Sequence, residues 1–273
     1  VDILPDNTTQ LLAISFSDQQ SLYKNKNKLL QNKNEFWNWD KYRKSLEIKS
    51  NTNYSDFINE IYNEAGIFNS SSNLNIENYY TYINTKESIR ANSIIQGMIL
   101  TSIDYKNFRI NKLIDNNLTA NIFGSLFKTD NPFFTTINNY LIFGKSETSL
   151  EYIIDNYITS NTLSNNKSFQ NLSSYISSSA NIFLYINPGK TSVALQNKLI
   201  NKKLFSHHAD SINKFTAFTF QVNNTKSKML HNLCLFFDEE YKESIKEEWF
   251  FPLDTISSIN PHFVYNHFTK EQM

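Results

Sequence analysis

The sequence predicts an α+β fold: repeated strand-loop-helix units with antiparallel hairpins, forming a mixed or antiparallel sheet packed by helices. Three observations predict it. Aromatic-rich, strand-like runs lead through a short loop with a Ser/Thr-bearing cap region into a helix, in related wording, at NYYTYINTKESI (Asn78 to Ile89), NYLIFGKSETSL (Asn139 to Leu150) and NIFLYINPGKTSV (Asn181 to Val193). Two pairs of strand-like runs are joined directly by polar turns, which favours hairpins over a parallel sheet. Between the strands, apolar residues recur at helical spacing.

Taken in order, LLAISF (Leu11 to Phe16) is short and apolar enough to be a buried strand, while the rest of the first hundred residues is mostly helix-patterned. Phe36, Trp39 and Leu46 share one stripe of a helix with Tyr42 beside them, and Phe57, Ile58, Ile61 and Tyr62 follow the rhythm of a second. FFTTI and YLIF flank Asn138 and Asn139 as a hairpin. Leu150, Ile153, Ile154, Tyr157 and Ile158 fall on one face of the clearest helix. FTAFTFQV and MLHNLCLFF flank the turn Asn223 to Lys228 as a second hairpin. Within it, Phe218, Phe220 and Val222 alternate with Thr219 and Gln221, so the apolar set is expected in the core. Residues 1–252 thus read as one α+β domain, open to division near 130 into two similar sub-repeats. Residues 253–273 turn polar and irregular and read as a linker toward a further C-terminal domain.

With 273 residues, 40% hydrophobic and 15% aromatic, the chain can bury a sizeable core and does not have the composition of a disordered tail. Twenty-six basic residues balance 26 acidic ones, and the only arginines are Arg43, Arg90 and Arg109, scattered. Neither nucleic acid nor an anionic lipid surface is expected as a partner, because both are gathered by concentrated positive charge. No stretch reaches the roughly 18 apolar residues of a membrane helix. The N-terminus VDILPDNTTQ lacks the basic and apolar regions of a signal peptide. Opening with Val and stopping at HFTKEQM, the chain reads as an excerpt. The lone Cys234 excludes an internal disulfide and a Cys-based zinc cluster.

No motif commits the chain to chemistry, so no catalytic, cofactor-binding or metal residue is assigned and no cofactor is expected. In INPGKTS, Gly189, Lys190 and Thr191 lie between a strand and a helix, where a phosphate loop occurs. Leu184 stands where a phosphate loop needs its first Gly, so the segment reads as a plain turn into a helix. His207 and His208 are adjacent and point about 100° apart on a helix, unlike a chelating pair. His262 and His267, with Glu271 nearby, match no zinc spacing. His231 shares a strand face with Met229, Leu233 and Leu235 and reads as a core histidine. Glu35 and Asp40 beside Trp37 and Trp39 suit a sugar cleft, but they also suit an ordinary amphipathic helix. The acidic run Glu239, Glu240, Glu243, Glu247 and Glu248 is interleaved with lysines and reads as a solvated helix face. No Ser sits in a nucleophile elbow, and Cys234 has no positioned His. The Asn-x-Ser/Thr triplets at Asn7 and Asn117 are what an Asn- and Ser-rich chain yields by chance.

LPDNTTQLLAISFSDQQSLY, NEAGIFNSSS, YTYINTKES and NNYLIFGKSETSLEYIIDNY resemble a family of large uncharacterised bacterial cell-envelope proteins, a domain of unknown function. The resemblance spans most of the chain. It implies export of the parent protein and a place in the periplasm or on the envelope. It also implies that PHFVYNHFTKEQ (Pro261 to Gln272) leads into β-rich, propeller-like repeats. It carries no activity and no site residue. The leading expectation is a non-enzymatic envelope scaffold or interaction domain, with a protein or envelope component as partner. The alternative is a polysaccharide- or peptide-processing enzyme whose acidic, aromatic-lined cleft joins Glu35 or Asp40 to Glu239 or Glu240.

Overall fold

A computed structural model describes residues 2–70, 78–191, 209–224 and 228–237. Strand β1 (Thr8–Ser15) leads to helices α1 (Gln19–Asn32), α2 (Phe36–Ser50) and α3 (Tyr54–Glu60), then to β2 (Ile61–Ser70) and β3 (Asn78–Thr85). Helix α4 (Ser88–Ile95), β4 (Ile99–Tyr105), β5 (Phe108–Leu113) and α5 (Leu118–Phe123) follow. Next come β6 (Phe133–Ile137), β7 (Tyr140–Gly144), α6 (Glu147–Ile158) and α7 (Lys167–Ser173). Strand β8 (Ile182–Ile186), helix α8 (Ala209–Asn213), β9 (Phe215–Asn224) and β10 (Met229–Phe237) complete the described strands and α-helices.

All ten strands form one sheet in the order β10-β9-β8-β1-β2-β3-β7-β6-β5-β4, and every pairing is antiparallel. The α+β expectation stands in this form: a large antiparallel sheet with several helices. Both expected hairpins form, β6-β7 across Asn138, which takes φ 54°, and β9-β10. Outward from the β1–β8 pair, the strands run in chain order on both sides, β1-β2-β3 and β8-β9-β10.

Alternation of side chains across the strands builds two cores. On the first face, Leu150, Ile153 and Ile154 of α6 and Phe169 and Leu172 of α7 cover Tyr80, Tyr82, Ile142, Ile137, Phe68, Leu11, Tyr185 and Ala217, from β6 across to β9. On the second face, Leu46 of α2, Phe57 and Ile58 of α3, Ala91 and Ile95 of α4 and Leu118 and Ile122 of α5 cover Ile83, Leu141, Phe143, Phe134 and Leu113. This second core stops at the near end of β2, at Ile61.

Local signals set the helix boundaries. Ser146 and Ser149 form a reciprocal capping box at the start of α6, and Asp18, Asn53 and Asn166 cap α1, α3 and α7 through their side chains. Helix α3 is shorter than its apolar rhythm suggests: the chain becomes strand at Ile61, which stays in the core while Tyr62 points to solvent. The three-residue 3₁₀ turn after α4 abuts the end of α2 at Gly97, where a Cβ would lie 1.8 Å from Ser50 O.

Candidate functional site

The second face changes character beyond β3. Ile67, Leu12, Leu184, Phe220 and Leu233 oppose one another in successive antiparallel pairs, so they form one row across β2, β1, β8, β9 and β10. A second row contains Ile186, Phe218 and Leu235. Leu12, Ile67, Leu184, Ile186, Phe218 and Phe220 are only half-buried, and Leu233 and Leu235 are exposed. A groove of about 490 Å³ lies on the β8-β1-β2 part of this surface, lined by Leu12, Ile67, Tyr79, Leu184 and Ile186 with Leu126 and Lys128. Apart from Lys128 its lining is uncharged, and pockets of this size and character hold apolar groups.

Strand β9 inverts the sequence expectation. Thr219 and Gln221 are the buried residues, on the first face, and Phe218, Phe220 and Val222 lie on the half-open one. Burial of Gln221 is tolerated because its amide closes a reciprocal pair with Ser177: Ser177 N–H donates to Oε1 at 2.8 Å and Nε2 donates to Ser177 O at 2.8 Å. His231 is corrected with it. It is an exposed residue whose ring lies 5.8 Å from that of Phe220, since its whole alternation set, Met229, Leu233 and Leu235, faces outward. Cys234 is half-buried at the border of the first core.

A second, polar cleft of about 400 Å³ is lined by Tyr62, Asn84, Thr85, Lys86, Asn138, Asn139 and Tyr140. Its groups are turned to the protein itself: Lys86 Nζ donates to Asn59 O at 2.6 Å and Thr85 Oγ1 to Asn139 O at 2.8 Å. No carboxylate lines it.

Glu35 and Asp40 lie at the N-cap and in the first half of α2. Trp37 is 77% exposed, whereas Trp39 packs against Tyr23 and Phe36. The Asp40 carboxylate takes Arg43 and Lys44, each at 2.8 Å, and these bonds, Lys44 first, hold its pKa below the usual carboxylate range. So bound, it is a poor proton donor. Glu239, Glu240, Glu243, Glu247, Glu248, His207, His208, His262, His267 and Glu271 lie outside the described residues, as does the 253–273 segment. The INPGKTS segment is a helix-start turn: Asn187 Oδ1 accepts from Lys190 N at 3.0 Å, and Thr191 N donates to Asn187 O at 3.0 Å.

One buried cluster had no signal in the sequence. Lys26 of α1 lies over the rings of Trp39 (3.7 Å) and Tyr23 (4.6 Å) and donates to Asn121 O. Burial, aided by the nearby Arg43 charge, pushes its pKa down to about 7, while the two aromatic faces favour the cation. Asn121 Nδ2 in turn donates to buried Asp115 at 2.9 Å. Asp115 also accepts from Tyr42 Oη (3.1 Å), Tyr54 Oη (3.2 Å) and the Asn117 backbone (2.8 Å). The network ties α1, α2, α3 and α5 together, and none of its members lines either cleft. Lys26 and Asp115 are about 95 and 6 positions from Asn121 in kinds of residue that occur throughout the chain, so spacing could not have linked them.

Among the described residues no group of three or more His, Cys, Asp or Glu is placed to hold a metal, and no helix is long and apolar enough to cross a membrane. Compared with family models, with curated proteins and with solved structures, the chain matches none.

Proposed function

We propose that the chain is a non-enzymatic interaction or scaffold domain of the cell envelope, outside the cytoplasm, that engages a protein or envelope component through the half-open apolar face of its sheet. The observation that carries this reading is the row Ile67, Leu12, Leu184, Phe220 and Leu233, apolar from end to end yet, among the described residues, not sealed as the second core is. Placement in the envelope is supported by the resemblance of the LPDNTTQ and NNYLIFGKSETS wording. The strand-loop-helix runs β3-α4, β7-α6 and β8 with its helical turn at 188–191 support descent from repeated units.

The test compares the wild type with Leu12→Asp/Leu184→Asp in two ways: binding of the apolar dye anilinonaphthalene sulfonate, and capture from solubilised envelope. Saturable dye binding and partners lost together in the variant would support the reading. Partners unchanged by the substitutions would contradict it, as would polysaccharide or peptide hydrolysis by the purified chain that is abolished in Asp40→Asn.

A further inference from the structure

Overall neutrality, the ground for expecting no anionic lipid partner, hides an uneven distribution of charge. Residues 19–50, which span α1 and α2, hold eight Lys and Arg against three Asp and Glu, so the rest of the chain holds 18 against 23. Of the eight, Lys26 is buried, Arg43 is paired with Asp40 and Glu47, and Lys44 is paired with Asp40. Lys24, Lys28, Lys33, Lys41 and Lys49 are exposed and form no ion pair among the described residues.

Helical geometry gathers these charges on outward faces. In α2, Trp37, Lys41, Lys44 and Ile48 recur at the spacing of a single stripe. Trp37 is 77% exposed and Ile48 84%, while Trp39 and Leu46 on the opposite side pack inward. In α1, Lys24 and Lys28 each stand two residues from inward-facing Lys26, about 160° around the helix from it. We infer that the outward faces of α1 and α2 lie on an anionic phospholipid surface, with Trp37 and Ile48 entering the interface between lysines that meet headgroup phosphates. Two signals together hold a peripheral protein at a membrane: apolar side chains that enter the interface, and lysines drawn by its surface potential. A soluble polyanion would engage the lysines and leave both large apolar side chains in water. The free cations are all lysines, point charges suited to a diffuse potential. The fork of Arg43, which would grip a single phosphate, is taken by two carboxylates. The inference goes beyond the sheet-face reading and uses a different surface. Leu12→Asp/Leu184→Asp should leave it unchanged, so the two can fail separately.

Co-sedimentation of the full chain with vesicles of phosphatidylcholine, alone or mixed with phosphatidylglycerol, tests it. The expected result is binding to the mixed vesicles only, weakened as salt is raised, with tryptophan emission shifted to the blue. Lys28→Gln/Lys41→Gln should lower the partition coefficient about tenfold or more. Trp37→Ala should weaken binding and remove the blue shift, and Lys145→Gln, outside the helical pair, should change neither. Equal binding to both kinds of vesicle, or to neither, overturns the inference, as does a folded double-glutamine variant that binds like the wild type. Binding to mixed vesicles with no blue shift, matched by binding to soluble polyphosphate, also overturns it and names an anionic polymer instead. Should the variants not fold, the salt series on the wild type decides: binding that salt leaves unchanged overturns the inference.

Discussion

The β3-β7-β6-β5 half of the sheet and the β1-β8-β9-β10 half share the first-face core but differ on the second face. In the former, Ile83, Leu141, Phe143 and Phe134 are sealed beneath four helices. In the latter, Leu12, Leu184 and Phe220 are half-buried and Leu233 is exposed, although they are equally apolar. Apolar surface in the first half holds the fold together. In the second half, among the described residues, much of it is left half-buried or exposed, which is the physical basis for the proposed interaction surface.

The largest effect that would test this contrast is truncation. Phe134→Ala, which empties a fully buried site, is expected to cost about 3–5 kcal/mol in urea unfolding, whereas Leu235→Ala should stay within about 0.5 kcal/mol. Comparable losses at the two sites would erase the distinction. Next comes Gly97→Ala, whose Cβ meets the Ser50 carbonyl. Its expected cost is about 1–3 kcal/mol, with α2 and α4 forced apart. No loss of thermal stability would place that contact elsewhere.

A pH effect belongs to the doubly covered half. In the unfolded chain Lys26 keeps its proton up to its ordinary value of 10.5, and in the fold it releases it near 7. Between those values the unfolded state binds more protons, so stability rises with pH, by at most about 1.4 kcal/mol per pH unit; the cost of the buried cation is fully present below 7. Tyr54 and Tyr80, whose pKa values burial raises, act in the opposite sense above their ordinary value of 10.0. Lys26→Met should therefore remove the rise between pH 7 and 10 in denaturation curves, and a slope that persists in the variant would assign it to another group. The smallest effect is at the β4 edge. The Asp104–Arg109 pair is exposed on both sides, so Asp104→Asn should change stability by less than about 1 kcal/mol.

Much of the architecture was legible in the sequence. The α6 stripe and the Asn138–Asn139 turn carry their own local signals, a 3.6-residue period and a turn dipeptide, and both elements form where expected. Strand β2 was not legible, because IYNEAGIFNS continues the helical rhythm of YSDFINE and carries a Gly whose place is set by Tyr82 across the sheet. Strand β9 misled because alternation identifies two faces without saying which one is buried; Gln221 went inward once Ser177 satisfied its amide. The same ambiguity concealed the candidate surface. An apolar row at period two reads as core, and only the absence of a sealing layer among the described residues marks it as open.

Hydrogen exchange followed by mass spectrometry tests the central contrast most directly. The account predicts the slowest exchange in peptides from β3, β6 and β7, and much faster exchange in β10, whose outer amides have no partner among the described residues. Equal protection of β10 and β3 would contradict it, because the second half of the sheet would then be as fully closed as the first.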